Sequence, residues 1–482
     1  MSTARARLRE FLPNANELAL ILAARGLACM AAWHSGFRAL SDDDYARIAI
    51  AQRFAHAPHF DPTGTSWLPA PFWVYGAMFR CFGTGLGVAR ATAIGAGLAA
   101  TVLVYLAARL LGAAPFSALL GAAFSALLAP YSAILGIAAV PEVPCAALLL
   151  FGMATLAQRE PGLRALGGVA LSAACLSRYE AWPIALVFAA YCTWDARRER
   201  RVAYLGGAAL ALVGAACWLA LGRLEHGDAL FFVARVTGYR RALGGPQASL
   251  VRRLVEFPWL ALWEGFLLWP LLLIPAFLAD KTQRQKQLDA ERSLVALGAL
   301  LAFLILGSVR DGVPTHHAAR VLLPIWCFAS IVAGHMIGRL VTTRWALVRA
   351  LVLVAVVLPP SLSGPYASRE GFAERQRELE AGQVARARVT GTLAIDTPDY
   401  GFFAVQAGFG SPSNTFVLDD HDPRHPSPNP FRDAAAVERA LREHGAEFAL
   451  VSQGHASLLV PRCSELWQGG AFVLLRCPFD RT

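Results

Sequence analysis

The sequence has too few charged residues for a soluble protein of its length. Only 16% of its 482 residues are Asp, Glu, Lys or Arg, whereas 56% are hydrophobic; soluble domains carry about 25% charged residues. The apolar residues form repeated runs of about 17–25 residues, the length that crosses about 30 Å of hydrocarbon. These two features exclude an ordinary soluble enzyme and predict a chain that crosses a membrane many times.

The signatures of several enzyme classes are also missing. The sequence contains no Gly-x-Gly-x-x-Gly after a predicted strand, no Walker Gly-Lys-Ser/Thr, no Cys-x-x-Cys and no His-Glu-x-x-His. Each of these motifs supplies a phosphate cradle or a set of metal ligands. Without them, neither a cytosolic nucleotide-sugar enzyme nor an ATP-driven pump is supported.

Lysine is absent after residue 360, and there 15 acids outnumber 12 arginines. The net charge of +10 therefore comes from the first 360 residues, where many basic side chains lie in short loops between apolar runs. That distribution is typical of cytoplasmic loops of a membrane protein. It is not the continuous basic face of a nucleic-acid-binding protein, so we expect no nucleic-acid partner.

The apolar runs predict an α-helical polytopic membrane protein with about eleven transmembrane helices. The first run lacks a small-residue cleavage site and is interpreted as a retained helix. Basic connectors, such as 195–201 and 280–292, place the N-terminus in the cytoplasm, and an odd number of spans places the C-terminal region outside. The predicted spans are 16–38, 86–111, 114–131, 143–157, 163–177, 181–194, 202–222, 258–279, 293–308, 319–340 and 345–360.

The chain is expected to divide into a transmembrane domain at 1–360 and a soluble extracytoplasmic α/β domain at 361–482. Short apolar strands alternate with helical segments in the second part, which favours a small parallel sheet. Cys463 and Cys477 lie in this tail. An oxidising compartment would permit a disulfide between them, but their spacing does not establish one. The predicted strands are 391–397, 415–419, 447–452 and 471–476, with a helix at 433–444.

Three adjacent acids, Asp42, Asp43 and Asp44, follow the first span directly. Adjacent carboxylates repel one another, so they need solvent, a cation or a functional reason. Acids in a first helical turn suit the helix dipole, and the residues that follow have a helical, amphipathic pattern. The other interpretation is a general base that removes a proton from an acceptor hydroxyl. The residues alone leave both open.

More charged and imidazole side chains lie on the same predicted side of the membrane. Ionisable groups at a membrane are functional candidates by default, and the guanidinium of Arg320 matches phosphate oxygens in a fork. The structural alternatives are a helix start at Glu142 and snorkelling or lipid contacts for the arginines. Adjacent histidines point in different directions, so they do not form a spaced metal-ligand pair. The candidates are Glu142, Arg178, Glu180, His316, His317 and Arg320.

The segment 41–85 resembles the first outer loop of the GT-C glycosyltransferase superfamily. Two acids directly after the first transmembrane helix, an amphipathic helix along the membrane and a Pro-rich stretch with Trp67 and Trp73 carry the resemblance. Protein O-mannosyltransferases and aminoarabinose transferases share this arrangement, and in them the first acid of an Asp-Glu pair is the catalytic base. Carried over, the base is Asp42 or Asp43. This sequence has Asp in place of Glu and a third Asp, so the register is open by one residue.

The resemblance implies a polyprenyl-phosphate sugar as donor and a hydroxyl on a lipid, glycan or protein as acceptor. Transfer would occur with inversion on the outer face of a bacterial inner or plasma membrane. Besides the base, the substrate-binding residues would be Asp44 and the six candidates above. No cofactor is certain and no metal ligand is assigned, although a divalent cation, Mg²⁺ or Mn²⁺, remains open. The alternative is a transporter or flippase of a lipid-linked or anionic substrate, which would place charges near the bilayer midplane.

Overall fold

Helices dominate the structure, a computed structural model, and five of those in the part it describes are long and apolar enough to cross a membrane. The five coincide with predicted spans and include Leu86–Leu110 and Glu291–Asp311. The predicted span at 345–360 lies outside the described residues. The structure describes residues 10–242, 248–278, 288–313, 318–340, 375–421, 429–459 and 461–478.

The other predicted spans correspond to shorter apolar helices, with one exception. The predicted span at 258–279 is replaced by two helices that meet at Gly265. There the indole N–H of Trp326 donates to the carbonyl of Ala261, 3.0 Å away, and occupies an acceptor that a continuing helix would use. The helices are α1 (Ala15–His34), α2 (Asp42–His56), α3 (Ala70–Phe82), α4 (Leu86–Leu110), α5 (Pro115–Leu127), α6 (Ser132–Leu135), α7 (Glu142–Ala154), α8 (Pro161–Cys175), α9 (Ala181–Arg198), α10 (Tyr204–His226), α11 (Phe231–Ala242), α12 (Leu250–Glu264), α13 (Leu268–Leu278), α14 (Glu291–Asp311) and α15 (Leu323–Leu340).

Acids and basic connectors lie at opposite ends of the helical bundle. Helix α4 has 25 residues and is therefore about 37 Å long. Near its first turn, Arg90 meets the acidic start of α2. Beyond its last turn, Leu111 accepts a hydrogen bond from the backbone of the connector before α14. At that second end, Arg164 and Arg292 both bind Asp195. The acidic start of α2 and the arginines around Asp195 therefore lie at opposite ends of the bundle.

The outer segment contains the two predicted helices, α2 and α3. They pack together through buried side chains that include Ile48 on α2 and Phe72 on α3. Helix α2 is more enclosed than an amphipathic surface helix, because every residue from 44 to 52 is buried. Its outer side is covered by a helix of the C-terminal region, Phe402–Phe409, through Ala404 and Ala407.

The C-terminal region contains a five-stranded mixed sheet, so the predicted all-parallel sheet is wrong. Strand β1 lies between β2 and β3 and is parallel to both, whereas β5 lies between β3 and β4 and is antiparallel to both. Strand β4 was not predicted because its sequence, SELWQG, has no run of apolar residues. The elements are α16 (Gln376–Arg388), β1 (Leu393–Ile395), α17 (Phe402–Phe409), β2 (Thr415–Val417), α18 (Ala434–Glu443), β3 (Phe448–Ser452), α19 (Gln453–Ala456), β4 (Ser464–Gly469) and β5 (Phe472–Arg476).

A disulfide joins Cys463 and Cys477. The two cysteines come directly before β4 and directly after β5, and Ser464 pairs with Arg476 in the ladder between those strands. The antiparallel register therefore brings the two thiols together. The sequence left this pairing open because β4 was not predicted.

Candidate active site

The third acid, Asp44, is a structural anchor. Its carboxylate is fully buried and forms an ion pair with Arg90 on α4, with N–O distances of 2.9 and 3.0 Å. It also accepts a hydrogen bond from the backbone N–H of Ala139, 2.8 Å away. These bonds join α2 to α4 and to the segment before α7. The prediction that Asp44 binds substrate gains no support from this environment, because its oxygens already have partners inside the protein.

Replacing Asp44 by alanine is expected to destabilise the protein by about 3–5 kcal/mol. Removal of the carboxylate leaves the guanidinium of Arg90, which is only 15% exposed, without its carboxylate partner. Thermal unfolding of the detergent-solubilised protein measures the effect. The control is Asp289→Ala, since Asp289 is exposed at the other end of the bundle. If the Asp44 variant and the control unfolded at the same temperature, the anchoring role would be wrong.

The second acid, Asp43, faces a group of buried charges. Its carboxylate is 39% exposed and accepts a hydrogen bond from the guanidinium of Arg320, 2.8 Å away. Arg320 precedes α15, and its Nε lies 3.3 Å from Glu142 at the start of α7. The structure therefore brings together three residues that the sequence analysis selected separately. Asp43 combines a fixed position with access to solvent, which a general base needs.

Arg178 and Glu180 complete this group from the turn between α8 and α9. Arg178 donates to Glu142 at 2.6 Å and to Glu180 at 2.8 and 3.2 Å. Burial alone would lower the pKa of Arg178, but the charges of Glu180 and Glu142 outweigh it and raise the pKa. Glu142, which is 3% exposed, thus holds the guanidiniums of both Arg178 and Arg320 in place.

Arg47 belongs to the same group, although it is not among the site residues predicted from the sequence. It lies on α2, one turn after Asp43, and its guanidinium stacks on the ring of Trp67 at 4.4 Å. Within the described ranges it forms no ion pair. Burial, opposed by Glu142 and Asp43, lowers the pKa of Arg47 to about 10, so the side chain is still charged at neutral pH. The sequence does contain an indication of this position, because Arg47 follows Asp43 by four residues, and residues i and i+4 share one face of a helix.

Three buried polar atoms of this group have no hydrogen-bond partner in the part of the chain that the structure describes. They are Nε of Arg47, Nη1 of Arg320 and Oε2 of Glu142. Buried polar atoms are normally paired, and two of these three are cationic donors. The two arginine donors suit an anion with several oxygen atoms, such as a phosphate. We call the group the arginine cluster; its members are Arg47, Arg178, Arg320, Asp43, Glu142 and Glu180.

The first acid, Asp42, turns away from the arginine cluster and toward the C-terminal region. Both of its oxygens accept hydrogen bonds from Arg375, which directly precedes α16, at 2.8 Å each. Arg375 also binds Asp399, in the loop after β1, at 2.8 Å. The three adjacent acids therefore have three different arginine partners. The predicted histidines His316 and His317 lie outside the described residues.

One further group could hold a metal ion. Asp61, between α2 and α3, lies beside Glu225 and His226 at the end of α10, and one ligand atom from each lies within 4.8 Å of the others. Carboxylate and imidazole ligands suit a divalent cation. An ion pair is the alternative, since His226 Nε2 lies 3.4 Å from Asp61. The sequence alone does not predict this group, because Asp61 lies far from Glu225 and His226 in the chain.

No family model matches the chain, and no curated protein matches its sequence. Solved structures do match. ArnT from Cupriavidus metallidurans in the apo state aligns with a TM-score of 0.61 and 14% identity, over 98% of each chain. ArnT from the same organism bound to undecaprenyl phosphate gives 0.58 and 15% identity, over 95% of this chain and 97% of that one. ArnT is a GT-C aminoarabinose transferase. The chain has the GT-C fold.

The GT-C fold agrees with the resemblance that the outer segment carries in the sequence. The likeness extends over nearly the whole chain and includes the C-terminal region, so it is not limited to the bundle of helices. Among the three consecutive acids, Asp43 is the one that contacts Arg320. Which of the acids is the base stays a prediction; the contact with Arg320 distinguishes Asp43 from Asp42 and Asp44.

Proposed function

We propose that this protein is a membrane glycosyltransferase that moves a sugar from a polyprenyl-phosphate donor to an acceptor hydroxyl. The observation that carries the proposal is the contact of the Asp43 carboxylate with Arg320, in a group of three largely shielded arginines. Arg47 and Arg320 each have one buried donor atom without a partner among the described residues. A carboxylate supplies a base, and the arginines supply charge for a phosphate. ArnT, whose fold this chain shares, has been solved with undecaprenyl phosphate bound, which supports a lipid phosphate as the leaving group.

In the proposed reaction, Asp43 takes the proton of the acceptor hydroxyl. The acceptor oxygen attacks the anomeric carbon of the donor sugar, and the bond from that carbon to the phosphate oxygen breaks. Its electron pair stays on the phosphate, so polyprenyl phosphate leaves with one more negative charge than it had in the donor. A single displacement of this kind inverts the configuration of the anomeric carbon. The proton on Asp43 returns to water after the product leaves.

The arginine cluster would stabilise the phosphate as its charge grows. Arg320 and Arg47 have donor atoms to offer, and the guanidinium of Arg178 lies beside them through Glu142. Such preorganised charges act strongly where water is excluded. Glu142 would orient the arginines rather than contact the sugar. This division of roles assigns proton transfer to Asp43 and leaving-group stabilisation to the arginines.

We place the reaction on the extracytoplasmic side of the membrane. The acids of α2 contact the C-terminal region directly, through Arg375 and Asp42, so both share one aqueous compartment. That compartment lies opposite the basic connectors, which favour the cytoplasm. The disulfide between Cys463 and Cys477 supports the same assignment, because disulfides persist in oxidising compartments.

A transfer assay tests the proposal. Purified protein in liposomes is supplied with a panel of polyprenyl-phosphate sugars labelled in the sugar, together with a lipid, glycan and protein acceptor fraction from cell envelopes. We expect label to move from at least one donor into an acceptor, with equimolar release of polyprenyl phosphate. The matched control replaces the donor with a nucleotide sugar, from which no label should move.

Two results would contradict the proposed function. Direct transfer from a nucleotide sugar would show a different donor class. Passage of the intact labelled lipid to the other leaflet, with the sugar–phosphate bond unbroken, would instead indicate a flippase. Separating the lipid products by chromatography and measuring label in each leaflet distinguishes these two results.

A further inference from the structure

The contact between Asp42 and Arg375 joins the proposed active site to the C-terminal region. The guanidinium of Arg375 meets both carboxylate oxygens of Asp42 at 2.8 Å, one through Nε and one through Nη2. This two-point geometry fixes the orientation of both side chains, not just their separation. Arg375 is 14% exposed and Asp42 is 23% exposed. The contact is therefore largely shielded from solvent and is stronger than an exposed surface ion pair.

Arg375 is itself held by two acids of the C-terminal region. Its Nη2 lies 2.8 Å from Asp399 and its Nη1 lies 3.4 Å from Glu378. Asp399 has a positive φ of 55°, a conformation that Asp tolerates better than most residues, and it accepts the backbone N–H of Gly401 at 3.1 Å. The conformation of the loop after β1 thus directs the carboxylate of Asp399 toward Arg375.

The same two parts of the chain also meet further along α2. Gln52 donates from its side chain to the carbonyl of Ala407 on α17 at 3.0 Å and to that of Thr84 at 2.8 Å. Ile48 and Ala51 of α2 share an apolar cluster with Ala404 and Ala407. The two-point contact between Arg375 and Asp42 therefore lies at the edge of a continuous interface between α2 and the C-terminal region. This interface holds the two side chains opposite each other.

The first turn of α2 depends on such contacts. Ser41, the residue before the helix, makes no side-chain capping bond, and three consecutive carboxylates repel one another. The turn is held from three directions, by Arg375 on Asp42, Arg320 on Asp43 and Arg90 on Asp44. Because Asp42 and Asp43 are neighbours on one turn, movement of Asp42 displaces the backbone that carries Asp43.

We propose that Arg375 is a positioning residue that fixes the first turn of α2 so that Asp43 meets the acceptor hydroxyl, and that the active site is complete only when the C-terminal region is docked. This inference rests on the proposed function. Arg375 contacts neither donor nor acceptor in this scheme. Its loss should therefore reduce the rate of proton transfer rather than the binding of the lipid phosphate, which the arginine cluster provides.

Kinetics of Arg375 variants test the proposal in the full-length protein in liposomes. We expect Arg375→Gln to lower kcat by about 10²-fold, the cost of a displacement near 1 Å, with the KM for donor changed less than about twofold. Arg375→Lys, which keeps the charge but not the fork, should recover part of the loss. The matched control is Arg377→Gln, because Arg377 is exposed on the same helix and its replacement removes the same charge.

A second readout does not depend on activity. Amide hydrogen exchange of a peptide covering residues 40–52 should be faster at the first turn of α2 in Arg375→Gln and unchanged in Arg377→Gln. If Arg375→Gln folds poorly, Asp399→Asn provides the same test, since it removes only the second partner of Arg375 and should give a smaller change of the same kind.

Unchanged kcat and unchanged exchange in the Arg375 and Asp399 variants would overturn the inference. A raised donor KM with normal kcat would also overturn it, because that result would assign Arg375 to donor binding. A wild-type protein without transfer activity would contradict the proposed function alone. In that case the exchange measurement would still decide whether Arg375 holds the turn.

Discussion

Replacing Asp43 by asparagine is expected to slow sugar transfer by about 10²–10⁴-fold, the contribution of a positioned general base. The amide of asparagine has nearly the same size and can still accept a hydrogen bond from Arg320, but it cannot take a proton from the acceptor. The donor should bind as before, because the arginines remain. Initial rates at saturating donor, together with donor binding measured separately, provide the test.

Two further variants serve as comparisons for Asp43→Asn. Asp289→Asn makes the same chemical change at an exposed position at the other end of the bundle and should leave the rate unchanged. Asp42→Asn should reduce the rate less than Asp43→Asn, because Asp42 faces Arg375 instead of the arginine cluster. If the Asp42 variant lost more activity than the Asp43 variant, the base would have to be reassigned to Asp42.

The second large effect is expected at Arg320. Arg320→Gln should lower kcat/KM for the donor by about 10²–10³-fold, the cost of removing a preorganised donor to a developing anion. The side chain is 13% exposed, contacts the proposed base and has a further donor atom without a partner in the described structure. A lysine at this position keeps the charge but loses the fork, so Arg320→Lys should fall between the wild type and Arg320→Gln.

The control for Arg320 is Arg252→Gln. Arg252 is 65% exposed and, among the described residues, pairs with Glu256 one turn along α12; such surface pairs contribute little. Product inhibition adds a specific readout, because polyprenyl phosphate without sugar should inhibit Arg320→Gln much less strongly than the wild type. Equal inhibition in both proteins would remove Arg320 from the phosphate site.

Much of the site could be predicted residue by residue, but its pairings could not. Asp43 and Arg320 were each visible in the sequence as charged residues beside apolar runs, yet 277 residues separate them. Arg47 was visible in principle, since it follows Asp43 by one helical turn. Arg375 gave no such signal, because an arginine before a polar helix is ordinary in any soluble domain, and only the fold brings it to Asp42.

The fold was predictable to a similar extent. Long apolar runs identify membrane helices directly, because crossing the bilayer requires their length. The sheet was harder to predict from the sequence. Strand β4 has exposed, polar residues and is specified by its pairing with β5, not by its own pattern. At the break near Gly265, the indole of Trp326 donates to the carbonyl of Ala261, a contact with a distant side chain that no local pattern reveals.

The three arginines that hold the first turn of α2 come from 46, 277 and 333 residues further along the chain. During synthesis the acids enter the membrane first, and Arg375 is made long after most of the helices. Contacts between such distant segments form late in folding. A nascent chain that stops before Arg375 would therefore have the acids without the third arginine partner, and the proposed active site would be complete only after the C-terminal region is made.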